Sequence, residues 1–400
     1  MLVIVGGGAA GLLAAIRAGE LGVNATVLEA TREVGRKVLI SGGGRCNVLP
    51  MVPAPERFVS SSPNRLVRRF LDRVQLPVQR EFFEELLGAP LREEPEALKL
   101  FPPSNRSKDV RDALRRRAEA AGATLRMSAP VRSLERRGDG FRIALDGEAI
   151  EAAAVIVTTG GLSVLGGGAD ARGLDWAAAM GHTVVAPYAA LAPLVAEGAP
   201  HAALSGLSLP ARLTARGAGE SAVSEGGFLF THRGYSGPSA LDVSHVVERH
   251  GPAARVTARF GGDVDWDAEL RAASGTVASF LRKRFPDRLA DLLLRESGTL
   301  DTPLHRLTRE KRGDVVRALT AFPLPATGTE GYRTAEVMGG GVALPEVDPG
   351  SGESKLVPGL YFAGEILDAF GPIGGFNFQW AWATGWTAGA AAARKVSPSG

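Results

Sequence analysis

The sequence predicts an α/β fold organised by a Rossmann-type dinucleotide-binding unit, and three observations predict it. A short all-apolar run, Leu2-Val3-Ile4-Val5, breaks into Gly6-Gly7-Gly8-Ala9-Ala10-Gly11 and continues with Leu12, Leu13, Ile16 and Leu21 at helical spacing. A second apolar run, residues 25–28, ends in Glu29-Ala30. Two later apolar runs end in Thr158-Thr159-Gly160-Gly161 and in Gly364-Glu365. Glycines therefore recur where strands end, which is where open α/β sheets bind ligands.

Each part of the first motif has a physical role. Gly6 permits the tight turn out of the strand. Gly8 has no Cβ, so the backbone can approach a pyrophosphate, and Gly11 lets the helix pack closely on the strand. The helix N-terminus, with Ala9 and Ala10 in its first turn, presents free N–H groups and the positive dipole end to phosphates. Glu29, ending the second strand, accepts hydrogen bonds from ribose hydroxyls. With 51 glycines in 400 residues, a bare GxGxxG arises by chance about once in such a chain. The strand before it, the helix after it and the acid at the next strand end make it specific.

Composition narrows the class. The formal charge of +3 argues neither for nor against nucleic acid. One cysteine excludes an internal disulfide and fits a reducing compartment. No Cys/His cluster has metal-ligand spacing, and His245 and His250 read as polar surface positions. The apolar N-terminus lacks the basic region of a signal peptide, and no run reaches transmembrane length. A cytoplasmic protein with no membrane partner is expected.

Residues 36–47 carry Arg36, Lys37, Ser41, three consecutive glycines (Gly42, Gly43, Gly44), Arg45, Cys46 and Asn47. Bare backbone N–H groups and cations together suit phosphate, or else form a flexible loop with solvated charges. This segment resembles the signature of the bacterial YhiN/BaiN-like FAD flavoproteins, sometimes grouped with aminoacetone oxidase. The resemblance implies an α/β fold in which a Rossmann-type FAD-binding domain (residues 1–187 and 338–400) holds an inserted β-rich domain (188–264 and 323–337) and a helical subdomain (265–322). It also implies that Arg36, Lys37 and residues 41–47 lie along the FAD.

The rest of the chain follows in order. Arg65, Arg68, Arg69 and Arg73 share a short helical piece; with Glu81, Glu84 and Glu85 nearby they read as a solvated face rather than a nucleic-acid patch. Residues 107–121 form an amphipathic helix with Val110, Leu114 and Ala118 on one face, 124–127 a third parallel strand, and 131–145 a hairpin. The run into Thr159, Gly160 and Gly161 resembles the second FAD-contact motif of two-domain flavoproteins, and Val131 matches the position whose backbone meets the adenine. Residues 164–170 occupy the place of a family loop rich in Gly and Thr. From 187 to about 260 short alternating runs suggest a small β domain. Within it, residues 225–238 resemble a family landmark, in which His232 and Tyr235 either face the flavin on the substrate side or belong to a loop satisfied by its own backbone. Residues 265–322 read as short helices broken near Pro286 and Gly298. In related flavoproteins an acid at the position of Glu365, after Gly364, accepts hydrogen bonds from the ribityl chain. Gly374, Gly375, Phe376 and Asn377 open the last helix, whose free N–H groups suit the negative charge of a reduced flavin. Trp380, Trp382 and Trp386 on that helix read as core.

The expected function is that of an FAD-dependent oxidoreductase acting through the flavin N5. The first expectation is NAD(P)H-driven reduction of a small unsaturated or carbonyl-conjugated substrate; the alternatives are a small-amine oxidase releasing hydrogen peroxide and an FAD-stabilised nucleic-acid-binding protein. No second strand–GxGxxG–helix–acid unit appears, so NAD(P)H is expected to dock transiently. Nucleic acid is the less favoured partner, because the arginines are interleaved with acids. The catalytic acid or base and the oligomeric state are not readable.

Overall fold

The computed structural model describes residues 1–163, 170–300 and 302–397. They form two compact units, Met1–Tyr188 with Glu336–Gly400, and Ala189–Ala335.

In the first unit the named elements are β1 (Leu2–Val5), α1 (Ala9–Glu20), β2 (Ala25–Leu28), α2 (Arg36–Gly44), α3 (Asn64–Leu71), α4 (Ser107–Ala120), β3 (Thr124–Arg126), β4 (Ala154–Val157), β5 (Leu360–Phe362) and α5 (Phe376–Val396). The five strands make one parallel sheet in the order β5-β4-β1-β2-β3. All four residues of β1 and of β4 are buried, as strands covered on both faces require. On α4 the buried side chains include Val110, Leu114 and Ala118, the face that the periodicity predicts.

Helix α5 closes the unit by crossing α1 at backbone contact. A Cβ on Gly385 would lie 2.3 Å from the Ala10 carbonyl oxygen, and one on Gly389 2.3 Å from that of Ala14. Trp380 and Trp382 are buried in this core, with their indole N–H groups on the carbonyls of Gly364 (3.0 Å) and Val48 (2.9 Å). Trp386 packs edge-on to Phe82.

The second unit holds a seven-stranded sheet. Its centre is a long hairpin, Ser208–Gly217 against Glu220–Phe230, rather than the short runs expected there. Helix Pro238–His250 lies within the stretch read as β-rich. Its Pro at the first helical position and buried Ala240, Val243 and Val247 are ordinary helix signals that the Gly- and Pro-rich text before it obscured. In the helical stretch, Pro286 precedes helix Asp287–Ser297 and Gly298 ends it in the left-handed conformation. These helices share one apolar core with the sheet. No described helix is long and apolar enough to cross a membrane.

Candidate cofactor site

The glycines of the first motif divide the labour. A Cβ on Gly6 (φ +108°) would lie 2.4 Å from the Thr158 carbonyl oxygen, and one on Gly11 2.0 Å from that of Gly6. Both are therefore demanded by the fold. A Cβ on Gly8 would meet nothing within 4 Å. Gly8 faces open space at the start of α1, where a phosphate meets N–H groups that the helix leaves unsatisfied. Glu29 is pinned to the same loop: it accepts from the Gly7 N–H (2.9 Å) and from the Thr31 N–H (2.8 Å) and hydroxyl (2.7 Å). An ionised carboxylate has about four lone-pair sites, so Glu29 retains capacity for a further donor. Beside it lies an open depression lined by Thr31, Arg32, Glu33 and Arg36, while Ala30 is exposed. The Ala129 N–H donates to the Glu29 carbonyl (2.8 Å), which brings the chain leading to Val131 alongside this end; the Val131 carbonyl accepts from Arg172 (2.9 Å).

Helix α2 breaks at Ser41, Gly42 and Gly43, and Gly42 to Gly44 all have positive φ. A Cβ on Gly43 or Gly44 would touch nothing within 4 Å, and the Asn47 Oδ1 atom is buried without a hydrogen-bond partner. The cations of this loop part company. Arg45 is engaged by Glu94, by Asn105 (2.7 Å) and by the Phe101 ring (3.8 Å to its centroid), so its charge is not spent on a phosphate as expected. Lys37 binds Glu365 and Ser163.

Cys46 is wholly buried and takes a positive φ, so its side chain belongs to the core and only its backbone is left to line the loop. Burial pushes the thiol up to about 12, against a smaller opposing effect of Ser41. A thiol held protonated is a poor nucleophile. Cys46→Ser is expected to retain FAD and turnover within about twofold, with a stability loss of about 1 kcal/mol for the buried hydroxyl; loss of turnover with flavin retained would show a thiol role. Thiol-alkylating reagents at pH 8 should modify the folded protein only at its unfolding rate.

Glu365 anchors the far side. Besides Lys37, it accepts from the Met338 N–H (2.9 Å) and the Ser163 hydroxyl (3.2 Å). Gly160 and Gly161 face it: their Cβ positions would lie 3.9 Å and 3.0 Å from its two carboxylate oxygens. Thr158 donates to the carbonyl of Gly6 (2.8 Å), locking this strand end to the first loop, and the Thr159 Cα lies 3.1 Å from the Cβ position of Gly6. Gly364 packs against Ala10, where a Cβ would come within 2.9 Å. At the start of α5, Gly374 and Gly375 have positive φ, and a Cβ on Gly375 would lie 2.6 Å from the Leu49 carbonyl carbon. Asn377 holds its own loop through both amide atoms, on the Gly371 N–H (2.9 Å) and carbonyl (2.8 Å). Two cations flank this helix start: the Lys99 Cε lies 3.6 Å from the Cβ position of Gly374, and Arg57 lies 5.6 Å from the Phe376 ring centroid. Sequence reasoning missed Lys99, Ser163, Met338 and Arg57; no local motif marks them.

Three expectations fall elsewhere. Tyr235 is fully buried in the core of the second unit, with its hydroxyl 2.8 Å from His201 Nδ1, and burial pushes its phenol above the ordinary value. It is therefore not a substrate-side group, because an aromatic core leaves no face for a ligand. His232 is exposed in the turn between Glu220–Phe230 and Gly234–Ser236. The Gly-rich loop at residues 164–170 lies outside the described residues, apart from Asp170.

One constellation imitates a hydrolase. His182 joins Glu346 (3.1 Å to Nδ1) and the Ser354 hydroxyl (2.7 Å to Nε2), all in the first unit. Ser354 is buried and also accepts from the N–H groups of Leu356 and Val357 (3.1 and 2.8 Å), so it is a brace and not a nucleophile. Burial lowers the His182 pKa more than Glu346 raises it. His201 and His245 are likewise lowered, by burial first. The unfolded histidines titrate near ~6.5. Below that pH the unfolded chain takes up protons that the native chain refuses, so stability is full above ~6.5 and falls as the pH drops. Tm measured from pH 8 to 5.5 should be flat and then decline; a rise on acidification would refute this.

Taken together, these groups fit FAD: an open cradle at Gly8, Gly43 and Gly44, an unpartnered acceptor in Asn47 Oδ1, and the N–H donors at the N-termini of α1 and α5 in one unit. Among the described residues no group of His, Cys, Asp and Glu could hold a metal.

The HI0933-like protein Rossmann domain model matches residues 1–391. A ribosomal RNA dihydrouridine synthase of Escherichia coli (strain K12) is 32% identical over 96% of both chains. A 3-dehydro-bile acid delta(4,6)-reductase of Clostridium scindens is 30% identical over 98% of both. Among solved structures, a 3-ketosteroid-delta4-(5alpha)-dehydrogenase from Rhodococcus jostii RHA1 shares the fold, with TM-score 0.53 at 15% identity over 98% of this chain and 96% of the other. The end-to-end matches agree with the resemblance carried by residues 36–47: the chain belongs to the HI0933-like Rossmann family and is an FAD-dependent oxidoreductase.

Proposed function

We propose that this enzyme reduces a carbon–carbon double bond conjugated to a carbonyl, that NAD(P)H is its electron donor, and that its substrate is a uracil ring in ribosomal RNA. One observation carries the reading. The E. coli synthase and the C. scindens reductase, both matched from end to end, are named for products or bonds of one chemical kind. Dihydrouridine is uridine with its carbonyl-conjugated ring double bond saturated. A delta(4,6)-reductase acting on a 3-dehydro (3-oxo) acid likewise attacks double bonds in conjugation with a carbonyl. The E. coli match favours RNA.

Bound FAD supplies the two-electron reduction itself. The residues of this chain would bind and orient it: Gly8 and the α1 N-terminus would receive the pyrophosphate, Glu29 the ribose, and Asn47 Oδ1 a donor on the cofactor. Lys37 pairs with Glu365, whose carboxylate would be the acceptor for the ribityl hydroxyls. The N–H groups at the start of α5, helped by Lys99, support negative charge at the pyrimidine edge.

A second reading, a small unsaturated ketone as substrate, is favoured by the C. scindens match. The test is an anaerobic titration of the yellow protein with NADH and then NADPH. The oxidised-flavin band should bleach, and in-vitro-transcribed ribosomal RNA should restore it. Restoration by a steroid dienone but not by RNA favours the second reading. No bleaching, with peroxide released from an amine in air, makes the enzyme an oxidase.

A further inference from the structure

We propose that the outward face of α3 is a docking surface for the phosphate backbone of RNA, formed by Arg65, Arg68 and Arg69 with Arg73 in the turn that follows. This rests on the reading of the substrate as a base in ribosomal RNA. The spacing i, i+3, i+4 puts Arg65, Arg68 and Arg69 on one side of the helix, and Arg73 follows in the turn after its end. The opposite side is fixed in the core: Val67, Phe70 and Leu71 are buried, and the Phe70 ring sits 5.4 Å from that of Trp380 on α5.

The arginines are exposed, and none of their guanidinium groups has a hydrogen bond or ion pair among the described residues. Two of the three acids expected to neutralise them are occupied elsewhere, and Glu81 pairs with none of them. Glu84 accepts from Arg80 (2.9 Å), and Glu85 lies 3.6 Å from Arg117. Arg115 and Arg132 are matched, by Glu119 (3.0 Å) and Asp146 (2.7 Å), and exposed arginines elsewhere without a partner among the described residues, such as Arg116, Arg142 and Arg216, do not follow one another along one helix as these do. The four arginines, set against the one exposed acid among them, Asp72, are therefore a local excess of positive charge that the near-neutral total of +3 conceals.

Its place on the fold gives that charge a use. The Asn64 side chain donates to the Pro55 carbonyl (2.7 Å), tying α3 to the turn Pro55–Arg57. Arg57 of that turn lies by Phe376, at the start of α5. The row thus leads outward from the helix start assigned to the flavin pyrimidine edge, within one unit. At ~1.5 Å rise per residue, Arg65 and Arg69 stand about 6 Å apart along the helix, and Arg73 extends the row into the turn beyond it. A small ketone makes no use of cations spread over that length, whereas a polyanion does. Guanidinium groups match phosphate by paired hydrogen bonds.

The test uses the full-length flavoprotein and in-vitro-transcribed ribosomal RNA. The variant Arg65→Gln/Arg68→Gln/Arg69→Gln/Arg73→Gln keeps helix formers at every site. It should retain flavin content and bleaching by NAD(P)H. Its RNA affinity at 0.15 M salt should fall about tenfold or more, and the slope of log affinity against log salt should shrink by about 3. A variant of equal charge loss in the second unit, Arg282→Gln/Arg295→Gln/Arg309→Gln/Arg317→Gln, should bind RNA as the parent does. An unchanged slope in the α3 variant, or an equal loss in the control, overturns the surface alone. If the parent neither binds nor reduces the RNA, the RNA reading fails with it.

Discussion

Gly8→Val should yield a folded, colourless protein. A Cβ at Gly8 meets no protein atom within 4 Å, and the residue sits at φ −75°, ψ −167°, a conformation open to valine. The fold therefore tolerates the side chain, and the cost falls on the cofactor, whose pyrophosphate needs that space. An affinity loss of about 100-fold or more, roughly 3 kcal/mol, is expected, read as flavin content and as FAD uptake by the apoprotein. The Tm should match that of the wild-type apoprotein. Gly6→Val and Gly11→Val are the contrast: their added carbons strike backbone oxygens at 2.4 and 2.0 Å, so these variants should fail to fold at all. A Gly8→Val protein that purifies with full flavin would remove the cofactor site from this loop.

Gly385→Ala and Gly389→Ala should destabilise the protein despite improving helix propensity. In an exposed helix, Gly to Ala gains about 1 kcal/mol. Here the new methyl would press on the carbonyl oxygens of Ala10 and Ala14, each at 2.3 Å. Separating the helices would open the core between them, and overpacking of this kind costs about 1–3 kcal/mol or more. The net sign should therefore be reversed, with a lower denaturant midpoint for each single variant and a protein unable to fold when both are changed to Leu. An increase in midpoint would mean that α5 does not rest on α1 as described.

Much of the nucleotide-binding frame was legible because its requirements are local. A turn out of a strand, a close approach to phosphate and a helix start each restrict one or two residues, and glycine answers all three. The broken helices between residues 265 and 322 were legible for the same reason, since Pro286 and Gly298 act at their own positions. Partnerships across the chain were not legible. Lys37 meets Ser163 and Glu365, which lie 126 and 328 residues away in sequence, and no short motif encodes that meeting. Lys99 reaches the start of α5 from a small strand with nothing distinctive around it. Arg45 and Tyr235 show the converse, because a residue type suited to a ligand was used for the core or for an ion pair. The α3 arginines read as neutralised because acids follow them in sequence; the fold assigns two of those acids, Glu84 and Glu85, to Arg80 and Arg117.

The closure of the first unit by β5 and α5 sets the order in which the chain can be made. As synthesis proceeds, β1, β2 and β4 emerge early but lack the helix that covers α1 and the strand that completes the sheet. The contiguous stretch Ala189–Ala335 leaves the ribosome whole and is free to form its own core while the rest waits. The unit that holds the flavin must then bring together segments separated by most of the chain, a step with a large loop-closure entropy. Until α5 arrives, the apolar face of α1 is exposed to aggregation and to proteases, and FAD supplied during translation would find only half its site.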